Sequence, residues 1–87
     1  MQLRPVNDCL LVESIGKLPE NDTLAFLAEE GLRAMRVLHT PDYLRDDQEV
    51  FMKGDRVVVP PGSGHRLIID GRECLLIRQQ DVLAILE

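Results

Sequence analysis

Short aliphatic and β-branched runs, each stopped by turn-forming residues, set the pattern of this chain. Cys9-Leu10-Leu11-Val12 is the first clear run and Met35-Arg36-Val37-Leu38 the second. Asp55-Arg56-Val57-Val58-Val59 follows and stops at Pro60-Pro61-Gly62-Ser63-Gly64. Arg66-Leu67-Ile68-Ile69 then meets Asp70-Gly71, the two-residue signal for a type I′ hairpin, whose central residues both need φ > 0. Glu73-Cys74-Leu75-Leu76-Ile77 is the return strand, Gln79-Gln80-Asp81 breaks the run, and Val82–Leu86 closes it. Short strands on tight turns, with no room for crossover helices, predict an all-β fold, a small antiparallel barrel or sandwich in one domain spanning 1–87.

Between these runs lie less regular stretches. Met1–Asn7 reads as extended, with Pro5 removing one backbone donor, a residue tolerated on an edge strand and awkward in a central one. Ser14–Thr23 is polar, carries Gly16 and Pro19, and reads as a loop. Leu24–Gly31 supports two readings. Asp22 or Thr23 caps a short helix with Leu24, Leu27 and Ala28 on one face and Gly31 at its end; or Leu24-Ala25-Phe26-Leu27 is the apolar tip of an exposed loop. Thr40–Glu49 is acidic and turn-like, a hairpin tip.

Composition narrows the functions. The chain has 87 residues and a net charge of −5, with 3% aromatic residues. It shows no run of Lys and Arg, which argues against nucleic acid, since phosphate neutralisation needs a basic stripe and single strands need stacking aromatics. No stretch approaches the roughly 18 apolar residues of a membrane span, and no basic-then-apolar leader opens the chain, so a cytoplasmic protein is expected. Cys9 and Cys74 sit inside separate predicted strands, which predicts reduced thiols; a disulfide would need those strands to be neighbours. His39 and His65 lack ligand spacing, so neither a metal nor a cofactor is expected. No catalytic constellation stands out: Asp55, Asp70 and Asp81 fall at turns or strand starts, where carboxylates cap backbone donors. A core this small gains from association with other copies.

Three segments carry a resemblance. Arg4-Pro5-Val6-Asn7-Asp8, Lys53-Gly54-Asp55-Arg56-Val57 and Asp81-Val82-Leu83-Ala84-Ile85 stand in the order found in GroES-type co-chaperonins, and Gly62 and Gly64 fall near that family's glycine-bearing turn. The chain resembles a divergent member: Cys9 stands where the family usually has arginine, and the Gly-Gly of its mobile loop is missing from Ser14–Arg33.

The resemblance implies an irregular antiparallel β-barrel with two long loops, assembled as a heptameric ring that caps a GroEL-like chaperonin in its ATP-bound state and assists protein folding. It implies that the N-terminal strand of one subunit, with Leu3, Arg4, Pro5 and Val6, pairs with Ala84, Ile85 and Leu86 of the next. Ring closure would then cover strand edges that are otherwise a hazard. It places chaperonin contact at Leu24, Ala25, Phe26 and Leu27 in the first loop (14–33), and the dome's roof at Asp42, Asp46, Asp47 and Glu49 in the second (40–50). The competing readings are a helix packed on the barrel for the first loop and a solvated acidic turn for the second. At the level of the whole chain, the alternative is a ring protein of the same fold with a structural or adaptor role, for example in a virus particle.

Overall fold

A computed structural model of the chain describes residues 3–15, 31–41 and 51–86. The strands are β1 (Cys9–Ser14), β2 (Arg33–His39), β3 (Arg56–Val59), β4 (His65–Ile69), β5 (Arg72–Arg78) and β6 (Ala84–Leu86). They form one sheet in the order β4-β5-β1-β2-β3-β6, every neighbouring pair antiparallel.

Register follows from which residues can be buried together. Leu10 pairs with Ile77 and Val12 with Leu75 across β1 and β5, Val12 with Val37 across β1 and β2, and Met35 with Val57 across β2 and β3. Side chains alternate between the faces of a strand, so these residues share one face. With Val59 and Phe51 they form a single core, against which Val82 and Ile85 pack. The sheet curls around that cluster as a small open barrel. Each such side chain contributes about 1.5–3 kcal/mol on burial, and a slip of one residue would turn the whole set outward. A bulge between Leu11 and Val12, where β1 faces His39 and then Val37, skips Leu38 and tightens the twist.

The turns use the chemistry their residues suggest. Asp70 (φ 51°) and Gly71 (φ 79°) join β4 to β5, with Ile69 opposite Arg72, as a type I′ hairpin requires. Gly64 (φ 74°) enters β4 in close approach to β5: a Cβ there would lie 2.9 Å from both Leu75 Cγ and the Leu76 carbonyl oxygen. The Asp55 carboxylate accepts the Met52 N–H at 2.9 Å, capping the turn before β3.

Several boundaries differ from the sequence reading. β1 runs on through Ser14, because Ser14 still finds a partner in Met35; β2 starts at Arg33, opposite Val59. Leu3–Val6 is not a strand of this sheet: the chain turns at Asn7 (φ 59°), and the Cys9 N–H donates to the Val6 carbonyl at 3.2 Å. Gln79–Asp81 is a 3-10 turn, held by the Gln79 N–H on the Asp8 carbonyl at 2.8 Å. Both cysteines are free thiols. Their strands are indeed neighbours, but register sets Cys9 opposite Arg78 and Cys74 opposite Glu13.

Candidate functional site

The proposed loop tip Leu24-Ala25-Phe26-Leu27 and the roof residues Asp42, Asp46, Asp47 and Glu49 lie outside the described residues. What the fold shows is the frame holding each segment. The first leaves after half-buried Ile15 and returns at Gly31, where a Cβ would lie 3.7 Å from Pro61 Cγ. The second is bracketed by two buried residues, Pro41 and Phe51.

The terminal segments are described almost entirely. Pro5 is buried, Leu3 half-buried and Arg4 exposed; Val6 is 56% exposed. At the other end β6 pairs with β3 of its own chain: Ala84 with Val58, Ile85 with Val57 and Leu86 with Arg56. The Leu83 N–H donates to the Val58 carbonyl at 2.9 Å. Ile85 packs on the chain's own core, Leu86 is half-buried and Ala84 is exposed. Among the described residues the two termini do not pair with each other. Leu3 lines an outer-face groove of about 380 Å³ with Leu11, Leu38, His39, Ile69 and Cys74, whereas β6 is the last strand at the other end of the sheet. One edge of β6 therefore has no strand partner within the described chain, and the same holds for β4.

The third feature is electrostatic. Where β1 ends and β2 begins, Glu13 faces the Arg36 guanidinium at 4.0 Å and accepts from Arg72 at 3.5 Å. On the opposite face of the sheet Glu73 lies 3.5 Å from Arg33 and 3.3 Å from Arg66. Beside the Glu13 triad opens a cleft of about 420 Å³ lined by Glu13, Ser14, Ile15, Arg36, Arg72 and Glu73, which Arg33 and Arg66 do not line. No run of basic letters announces this grouping. The arginines come from β2, β4 and the start of β5, and only the cross-strand register assembles them. The one available signal, an alternation that puts Glu13, Arg36 and Arg72 on one strand face, is readable only once pairing is known.

Burial pushes the Cys74 thiol above its ordinary pKa; Glu13 adds to the rise and Arg72 opposes it. A neutral thiol in that position is a packing group rather than a nucleophile. Among the described residues no three His, Cys, Asp or Glu side chains gather as metal ligands. No helix there is long and apolar enough to cross a membrane.

No protein-family profile matches the chain. Individual relatives do, along its entire length. The co-chaperonin GroES of Caldicellulosiruptor saccharolyticus is 34% identical over 96 aligned residues, covering 100% of this chain and 99% of its own. That of Clostridium botulinum is 32% identical over 94 residues, covering 100% of both chains. That of Clostridioides difficile is 29% identical over the same span and coverage. With this similarity running end to end, the chain belongs to the co-chaperonin GroES family.

Proposed function

We propose that the chain is a co-chaperonin subunit that forms a heptameric ring, caps a GroEL-like chaperonin in its ATP-bound state and assists the folding of a protein enclosed beneath it. It works in the cytoplasm and catalyses nothing itself; the nucleotide-driven change of shape belongs to the partner. The observation that carries this reading is the end-to-end similarity to co-chaperonins.

The arrangement of the termini supports ring formation. Among the described residues β6 has β3 as its one strand neighbour and Leu3–Val6 lies outside the sheet, an arrangement in which the far edge of β6 can take a strand from a neighbouring copy. The seam so formed would draw on Leu3, Arg4, Pro5 and Val6 from one subunit and Ala84, Ile85 and Leu86 from the next. Chaperonin contact falls to Leu24, Ala25, Phe26 and Leu27. Burying Phe26 and Leu27 would contribute about 1.5–3 kcal/mol each before the cost of ordering the segment. A single such segment binds poorly, but copies joined in a ring bind together, and avidity raises affinity by about 10²–10⁴. Asp42, Asp46, Asp47 and Glu49 then line the roof.

Two measurements test the reading. Native mass of the purified chain should be that of a heptamer, and a GroEL-like chaperonin should retain the ring with ATP and release it without. Phe26→Asp should abolish retention and leave the ring intact. A monomer at micromolar concentration, or retention indifferent to ATP, would refute the proposal. Retention unaffected by Phe26→Asp would remove the assignment of the contact.

A further inference from the structure

The chain is acidic overall, yet one end of its barrel is basic. Among the described residues, Arg33, Arg36, Arg66 and Arg72 stand against two carboxylates, Glu13 and Glu73, an excess of positive charge in a molecule of net −5. Each carboxylate is shared between two guanidiniums at 3.3–4.0 Å, and only the Arg33–Glu73 and Arg72–Glu13 contacts are hydrogen bonds, each at 3.5 Å. Four guanidiniums carry about twenty N–H donors, against about eight lone-pair sites on two carboxylates. Most of those donors face water: the side chains of Arg66 and Arg72 are 71% exposed and that of Arg36 is 50% exposed.

We propose that this arginine-lined end is a second docking surface for the chaperonin and receives a carboxylate-bearing segment of it; this rests on the co-chaperonin reading. The chemistry of the surface selects a carboxylate. Planar guanidiniums match carboxylate oxygens two at a time, which a lysine cluster would not do. Position selects the partner. Ile15 lines the cleft and Arg33 opens β2, so the surface flanks both ends of the segment 16–30, to which chaperonin contact is assigned. A partner gripping that segment brings its own surface against these arginines. The apolar tip then supplies the salt-insensitive part of binding, and the arginines supply orientation, association rate and a dependence on ionic strength.

The test compares retention by a GroEL-like chaperonin with ATP for the unmutated ring and three variants, at about 50 and about 200 mM salt. Arg36→Gln/Arg72→Gln should bind at least about tenfold more weakly and with a shallower salt dependence. Arg36→Lys/Arg72→Lys, which keeps the charge and loses the fork, should fall in between. Glu13→Gln removes the internal competitor for Arg36 and Arg72 and should bind more tightly, a gain that damage to the fold would not produce. Native mass verifies each ring; where the glutamine pair disturbs assembly, Glu13→Gln decides alone. Equal affinities and salt slopes across the set overturn the docking surface while leaving the co-chaperonin reading in place. Failure of the unmutated ring to be retained overturns both.

Discussion

Gly64→Ala offers a sharp test of the barrel's construction. Two effects add at this position. An alanine at φ 74° sits in the left-handed region, which costs about 1–2 kcal/mol for a residue with a Cβ. The new methyl would also lie 2.9 Å from Leu75 Cγ, 2.9 Å from the Leu76 carbonyl oxygen and 3.2 Å from Ile77 Cβ. The second contact is with backbone, so β4 and β5 must move apart, and overpacking of this kind costs about 1–3 kcal/mol. The sum, about 2–5 kcal/mol, is a large share of the roughly 5–10 kcal/mol expected for a domain of this size.

Gly62 is the internal control. It has nearly the same φ, 78°, but nothing within 4 Å of its notional Cβ. Gly62→Ala should therefore carry the backbone strain alone, and Gly64→Ala should be less stable than it by about 1–3 kcal/mol. Urea unfolding at one fixed protein concentration reads the difference, which at a slope of about 1–3 kcal/mol per M displaces the midpoint by about 1 M. Two variants equal within about 0.5 kcal/mol would show that β4 and β5 leave room for a methyl at Gly64.

Three further outcomes are expected. Val6→Glu and Leu83→Glu alter side chains that are 56% and 58% exposed in the single chain, so each should change subunit stability by no more than about 0.5 kcal/mol. Together they should nonetheless break the ring in native mass measurements, since Val6 belongs to the proposed seam and Leu83 immediately precedes β6; a ring that survives both would argue against a seam through Val6. Ile85→Asp should cost about 1–3 kcal/mol, because it places a carboxylate against Val57 and the core; unfolding curves matching the unmutated chain would contradict the pairing of β6 with β3. In a Cys9→Ser background, Cys74 should react with a thiol reagent only when the barrel opens. The fold favours its neutral form, so the folded pKa lies above the unfolded one. That contribution to stability is complete below the thiol's ordinary pKa and is lost as pH rises through the raised value. Melting temperature should therefore fall on the alkaline side, less steeply in Cys74→Ala; identical alkaline profiles would deny the thiol this role.

Most strands are legible because their letters alternate or run apolar between turn residues. Asp70-Gly71 reads as a type I′ hairpin and is one, since few other dipeptides tolerate two positive φ values. Local reading leaves the ends of β1 and β2 too short, because Ser14, Arg33 and His39 are not strand-forming by composition and are drawn into the sheet by their partners. Pairing order is where local reading stops. Nothing in Cys9 or Cys74 says that their strands adjoin with the thiols out of register, and nothing in the letters says that Arg36 and Arg72 meet at Glu13 or Arg33 and Arg66 at Glu73. Both facts depend on a sheet order that is not sequential. The same limit holds for the termini: their letters suggest strands seeking partners, but not that β6 is already half satisfied by β3.

That half-satisfied state bears on how a ring would close. β6 has only three residues, and a strand so short is held less by its ladder than by its side chains; here Ile85, together with Val82 just before it, packs on the core. The strand is thus ordered before any neighbour arrives, and its other edge, without a strand partner among the described residues, would lose little entropy on pairing. The N-terminal segment is the reverse case. Pro5 lacks a donor, Asn7 turns the chain away, and Leu3 rests in a groove on the outer face of its own barrel. For it to meet a neighbour's β6, any rearrangement falls on Leu3–Val6, and Pro5 restricts which of its edges can pair. Pairing β6 of one copy with Leu3–Val6 of the next would be a head-to-tail contact between unlike surfaces. Contacts of that kind close into rings when the rotation between copies allows it, whereas a like-with-like contact would stop at a dimer.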